Sequence, residues 1–206
     1  MPRAQKAVRR QRNGRDYDDR FRGILDVAAE VFYIRGFPQG TLTEIADRVG
    51  LTQPALYHYV KSKDELLALI VNQVATDLSA AADQALTEGD TGAEKLQALI
   101  HRVTASIVAN RKTFTVYWQE LKSLPDEIRI AIRADERQFV NQILGVVEEA
   151  QQEGALPADQ PAWVLTEAIL GMVCWVYQWY SPDGPMSEDQ IAFAFIRLLG
   201  LAPARS

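Results

Sequence analysis

The chain has 206 residues, 48% of them hydrophobic and 24% charged, with one cysteine. That is enough for one or two folded units with a buried core, and it excludes a disordered chain. A single cysteine excludes an internal disulfide framework and fits a reducing compartment. The net charge of −5 is unevenly spread: residues 1–63 hold 12 Lys/Arg against 7 Asp/Glu, and residues 64–206 hold 10 against 20. A basic front on an acidic body confines any nucleic-acid contact to the first third, because phosphate affinity follows local positive charge. Residues 1–19 are too basic for a signal peptide, and no uninterrupted apolar run approaches the roughly 18 residues of a membrane span. A cytoplasmic protein with no membrane partner is therefore expected.

Residues 1–19 carry Arg3, Lys6, Arg9, Arg10, Arg12 and Arg15 with almost nothing apolar, which predicts a disordered basic arm, either a solvated tail or one that adds phosphate or minor-groove contacts. From Phe21 to Phe32 the apolar positions 21, 24, 25, 28, 31 and 32 follow helical spacing, and Gly36 ends the segment. Thr41 and Glu44 are spaced as a capping box ahead of Leu42, Ile45, Ala46 and Val49, which predicts a two-turn helix stopped at Gly50. Thr52 then caps a second short helix with an early Pro54. That helix turns Gln53, Tyr57, His58 and Tyr59 outward and Leu56 inward. Ser62 and Glu65 form a third capping signal, starting a helix at Lys63. Two short helices around a glycine turn, the second polar and aromatic, are the helix-turn-helix arrangement that reads the major groove. Phe21, Ile24, Phe32, Ile45, Val49, Leu56 and Val60 are its expected core.

The helix from Lys63 continues with one apolar side to about Leu86, long enough to leave the first domain and act as a lever on it. After a loop at Glu88 to Gly92, further helices are marked by Leu96 to Ile107, Phe114 to Leu121, Ile128 to Ala150, Trp163 to Tyr180 and Ile191 to Leu199. Asp135 falls on an apolar stripe, which makes it either a surface residue or a polar anchor needing a partner such as Arg102 or Arg111. Trp163 to Tyr180 is apolar all round and must be covered twice. Beside the clean stripe of the last helix, it predicts a homodimer joined by a four-helix bundle and hence a near-palindromic operator.

Gly36, Thr41, Thr43, Ile45, Ala46, Gly50, Leu56, Tyr57, His58, Tyr59, Ser62, Lys63 and Leu66 stand where the TetR family of bacterial transcriptional repressors carries its signature. Residues 20–66 resemble that family's DNA-binding domain. The resemblance implies an all-α fold of about nine helices: a basic arm over 1–19, a homeodomain-like three-helix domain over 20–66, and a helical effector-binding and dimerisation domain over 67–206. Gln53 is suited to read an adenine edge, and Pro54 and Ala55 to touch a thymine methyl. Thr43, Thr52, Tyr57, His58 and Lys63 complete the expected contacts to double-stranded operator DNA, as the family uses these positions.

The aromatic content of the second domain suggests a cavity for a largely apolar effector, with Phe114, Tyr117, Trp118, Asp135, Phe139, Trp175 and Trp179 as candidate lining. The segments 117–129 and 175–187 are similar to a TetR subgroup regulating fatty-acid, sterol and aromatic-acid breakdown, several of which respond to acyl-CoA thioesters. No cofactor, metal or catalytic centre is expected, since Gly-x-Ser-x-Gly, His-Glu-x-x-His, a phosphate loop and a dinucleotide fingerprint are all missing. The competing readings are a helical carrier of hydrophobic ligands that does not bind DNA, and an enzyme.

Overall fold

The computed structural model describes the backbone of residues 2–201 and the side chains of residues 17–201. Regular structure among these residues is entirely helical. It comprises α1 (Pro2–Arg35), α2 (Leu42–Arg48), α3 (Gln53–Leu56), α4 (Lys63–Leu86), α5 (Gly92–Ala109), α6 (Arg111–Glu120), α7 (Asp126–Gln152), α8 (Ala162–Cys174), α9 (Val176–Trp179) and α10 (Glu188–Leu198), with a 3-10 turn at Leu121–Ser123. Only Trp175 separates α8 from α9. Counted as one, they bring the total to the nine expected. The interruption arises because the Gln178 N–H turns to the Trp175 carbonyl three residues back, at 3.1 Å, tightening the helix end.

Two compact units divide the chain, Met1–Val71 with Val116–Leu124, and Asn72–Thr115 with Pro125–Ser206. The division thus falls a turn beyond residue 66, and the first unit takes in a segment from far along the chain. A second difference concerns the amino terminus. The segment expected as a disordered arm has a helical backbone from Pro2, and α1 runs unbroken into the core. Its Ala, Gln, Lys and Arg residues are good helix formers, so propagation from an anchored helix overrides the lack of an apolar face. The arm's candidate phosphate-binding side chains lie outside the described residues.

In the first unit, Ile24, Ala28, Val31 and Phe32 of α1 are buried together with Ile45, Ala46, Leu56, Val60, Leu66, Leu67 and Ile70. Each such aliphatic side chain contributes about 1.5–3 kcal/mol. Phe21 and Val49, expected in this core, are only half-buried. The three predicted caps form: Thr41, Thr52 and Ser62 accept the N–H of Glu44, Ala55 and Glu65 at 3.1, 3.3 and 3.0 Å. Glu65 also closes back on the Lys61 N–H, whereas Glu44 pairs with Arg48 at 2.7 Å, leaving the first box half-made. At Gly50 the backbone has φ +67°, and the Leu51 N–H returns to the Ala46 carbonyl at 2.9 Å, the closure that a left-handed glycine permits.

The second unit is built on α5, which packs against α7, α8, α9 and α10. Leu96, Leu99, Ile100, Val103 and Ile107 form its buried stripe. Its start is pinned to the end of α7. Glu153 accepts the Gly92 N–H at 3.0 Å, Lys95 pairs with Glu149 at 2.7 Å, and a Cβ on Gly92 would meet the Ala150 nitrogen at 2.5 Å. The helix α4 is by length and composition apolar enough to cross a membrane. Its apolar residues from Leu66 to Ala85 are nevertheless largely buried within the two units.

These contacts predict opposite outcomes for two glycines. Gly40→Ala places a Cβ 2.7 Å from a ring carbon of buried Phe32 and should destabilise by about 1–3 kcal/mol. Gly145→Ala, inside α7 with nothing within 4 Å, should stabilise by about 0.5–1 kcal/mol. Urea unfolding of the two variants checks the sign of each.

Candidate nucleic-acid interface and effector region

The segment from Thr41 to Lys63 sets a four-residue helix, α3, on a capped and buried base. Leu56 is 1% exposed and anchors it from below. On the other side Thr52, Gln53, Pro54 and His58 are exposed, Tyr57 is 47% exposed, and Ala55 is half-buried. Thr43 on α2 is exposed beside them, and its hydroxyl donates to the Gln53 Oε1 at 3.4 Å. That contact brings the two predicted ligands together and leaves the Gln53 amide N–H groups to donate outward. An exposed tyrosine beside a polar amide on a short, rigidly capped helix suits contact with a polyanion edge.

Lys63 does not belong to this surface. Its ammonium donates to the carbonyls of Phe37 at 2.7 Å, Pro38 at 3.2 Å and Gly40 at 3.1 Å, and lies 4.4 Å from the centroid of the Phe37 ring. An ammonium has three N–H donors, and here all three are taken. The expected phosphate ligand is therefore a clamp on the loop before α2. The sequence held no signal for this, because the partners are backbone atoms 23 to 26 residues away.

The predicted effector lining does not assemble around one cavity. Phe114 and Phe139 are buried in the second unit, and Phe114 packs on Tyr177 with centroids 5.6 Å apart. Trp175 and Trp179 are on its surface, 59% and 50% exposed. Tyr117 is buried and Trp118 exposed, and both fall in the first unit. Successive residues on a helix point about 100° apart, so neighbours such as Tyr117 and Trp118 fall on different faces, which composition alone does not reveal. Asp135 is exposed, so the surface reading holds. Its proposed partners are engaged elsewhere: Arg102 with Gln84 and Glu88, and Arg111 with the Tyr180 carbonyl at 2.5 Å.

Two clefts open within the second unit. One, of about 370 Å³, is lined by Ala75, Thr76, Ser79, Ala80, Asp83, Asp135 and Gln138. Asp135 is the one member of the predicted set to line it. The other, of about 1020 Å³, lies between the start of α5 and the end of α10, with Glu94, Gln97, His101, Phe193 and Ile196 among its walls. Cys174 offers no nucleophile, since burial pushes its thiol up to about 12 and leaves it protonated at neutral pH.

A capped four-residue helix presented by a glycine turn on a three-helix core is the fold of a DNA-binding helix-turn-helix regulator. Comparison with known proteins gives the family. The model for bacterial regulatory proteins of the tetR family matches residues 24–70, and that for the tetracyclin repressor-like C-terminal domain matches residues 89–201. The chain belongs to the tetR family of transcriptional regulators, whose members bind operator DNA and act as dimers. It is 27% identical to the HTH-type transcriptional repressor KstR2 of Rhodococcus jostii, over 87% of this chain and 89% of that one. The TetR family regulator PfmR of Thermus thermophilus superposes with a TM-score of 0.80 at 27% identity, covering 88% of this chain and 99% of PfmR. AibR in complex with isovaleryl coenzyme A and operator DNA superposes at 0.76 with 28% identity, covering 87% and 97%.

The two roles assigned around α3 separate experimentally. Lys63→Met, which orphans three loop carbonyls, should lower unfolding stability by about 1–3 kcal/mol. Gln53→Ala, on an exposed position, should change it by less than about 0.5 kcal/mol. Thermal and urea unfolding of both variants measure the contrast.

Proposed function

We propose that the protein is a cytoplasmic, homodimeric repressor that leaves a near-palindromic operator when a small, largely apolar effector binds its second unit. The observation that carries the DNA half is the outward side of α3, where Gln53, Pro54, Tyr57 and His58 are exposed around a helix capped by Thr52 and anchored from below by Leu56. Gln53, Pro54 and Ala55 are assigned to base edges, and Thr43, Thr52, Tyr57 and His58 to phosphates. Lys63 drops out of the contact set for the reason given above.

The dimer reading is supported by apolar surface along α8, α9 and α10. Val164, Gly171 and Trp175 fall at helical spacing on one exposed side, with Trp163 and Trp179 nearby, and α10 exposes Phe193 and Leu198, the last at 77%. Two such helices from each protomer make a four-helix bundle and set two copies of α3 about one turn of B-DNA apart, or somewhat more.

The effector reading is supported by AibR, whose complex holds isovaleryl coenzyme A. In this chain, small side chains at Ala75, Ser79 and Ala80 leave room for an acyl chain, while Asp83 and Asp135 would repel the phosphates of a coenzyme. An acyl end in that cleft and a nucleotide end outside it is the arrangement this charge pattern favours. The helix α4 starts at the clamp residue Lys63 and continues to Leu86, so it is the covalent route by which effector binding reaches α3. Full release requires the effector to discriminate between the two states by about 5.5 kcal/mol.

Anisotropy binding to the duplex upstream of the protein's own coding sequence tests the reading. Gln53→Ala and Tyr57→Ala should each weaken binding about 10- to 100-fold, in line with about 1–3 kcal/mol per contact. Short-chain acyl-CoA should reduce wild-type binding and give heat in calorimetry, and no heat from any thioester would remove the effector assignment. Leu198→Asp should shift the protein to monomer in sedimentation.

A further inference from the structure

Threonines inside the longer helices use their hydroxyls locally. Thr76, Thr115 and Thr166 each turn back along their own helix and donate to the carbonyl four residues earlier, at 2.9, 2.8 and 2.9 Å. Thr43 has no such partner to turn to, because it is the second residue of α2 and the chain four residues before it is loop. Its hydroxyl crosses to α3 instead and donates to the Gln53 Oε1 at 3.4 Å.

Both ends of that contact are held by their backbones. Thr41 caps α2 through the Glu44 N–H, Thr52 caps α3 through the Ala55 N–H, and α2 packs on α3. Pro54 fixes the chain directly after Gln53, and the β-branched Thr43 adds little freedom of its own. In solvent, water competes for both side chains. Where a duplex displaces that water, the hydroxyl is the partner already in place for Oε1.

An amide held in this way shows DNA a different face from a free one. Bidentate reading of adenine needs the carbonyl and the amino group side by side, one accepting from N6 and the other donating to N7. With Oε1 drawn to α2, the group left to point outward is Nε2, and both of its hydrogens are donors. The major-groove base edge that offers two acceptors is guanine, at N7 and O6.

We propose that Thr43 is a positioning residue that sets base preference: by holding the Gln53 carbonyl it makes Gln53 a donor that selects guanine over adenine. The inference rests on the DNA-binding assignment of α3. It moves the Thr43 hydroxyl from a phosphate to Gln53, since a hydroxyl has a single hydrogen to donate.

The test is selection from a random-sequence duplex library by the full-length chain and its variants T43V, T43A, T43S, Q53A and T43V/Q53A, with sequencing of the bound fraction. The wild type and T43S should enrich guanine at one symmetric pair of positions. T43V keeps the shape of the side chain and loses the hydroxyl, so the guanine-to-adenine ratio at that pair should fall by about fivefold or more, within what one bidentate contact discriminates. T43A should do the same. Q53A should show no preference there, and adding T43V to it should change nothing further. Adenine at that pair in the wild type, or an unchanged guanine preference in T43V and T43A, overturns the proposal. So does a T43V loss equal for all sequences and undiminished on the Q53A background, which marks a hydroxyl on a phosphate. An unchanged motif in T43V with the preference lost in Q53A removes this inference and leaves the α3 assignment standing, whereas no motif from any of the proteins removes both.

Discussion

One ammonium group holds the DNA-reading unit in register. Lys63 Nζ gathers the carbonyls of Phe37, Pro38 and Gly40 and lies over the Phe37 ring, which meets Phe32 edge-on at 5.2 Å. The Phe37 N–H, on the opposite side of the same residue, donates to Glu120 Oε1 at 3.2 Å, within the same compact unit. The loop that starts α2 is thereby tied to the first residue of α4 and to the end of α6. Everything from Thr41 to Ser62 lies between these anchors. A helix of four residues has too few internal hydrogen bonds to hold itself, so its orientation is inherited from these ties, from the Thr52 cap and from buried Leu56.

This arrangement gives the chain two surfaces with different physical logic. Around α3 the exposed groups are amide, hydroxyl, imidazole and phenol, suited to base edges and phosphates, and the charge of the whole first third is positive. Along α8 to α10 the exposed groups include indole, phenyl and aliphatic side chains, whose contact with water is unfavourable and whose burial against a matching surface lowers the free energy. Lys63 is both the clamp and the first residue of α4, so that helix and the loop before α2 share one anchor.

Elements governed by local rules were legible in the sequence. The caps at Thr41, Thr52 and Ser62, the left-handed Gly36 and Gly50, and the span of α4 all follow from residue types at short separations. Features set by long-range contact were not. Lys63 resembles a phosphate ligand in sequence because its loop partners are distant along the chain, and Val116–Leu124 belongs to the first unit through contacts such as Glu120 with Phe37, 83 residues apart. The aromatic residues failed as a pocket prediction for a related reason: composition reports how many rings a helix carries, but burial is decided by which neighbour each ring meets. The helical backbone of residues 2–16 shows the reverse error, in which the lack of an apolar stripe points to disorder although helix propensity is high.

The account stands on the outward side of α3 lying against base pairs as part of a two-fold assembly. Selection of bound fragments from sheared genomic DNA by the wild-type protein and by Gln53→Ala, followed by sequencing, addresses it directly. The account predicts that the wild type enriches sites with two inverted half-sites and that the variant loses preference at one symmetric pair of positions. Enrichment of nothing, or the same motif at the same strength from both proteins, would contradict it.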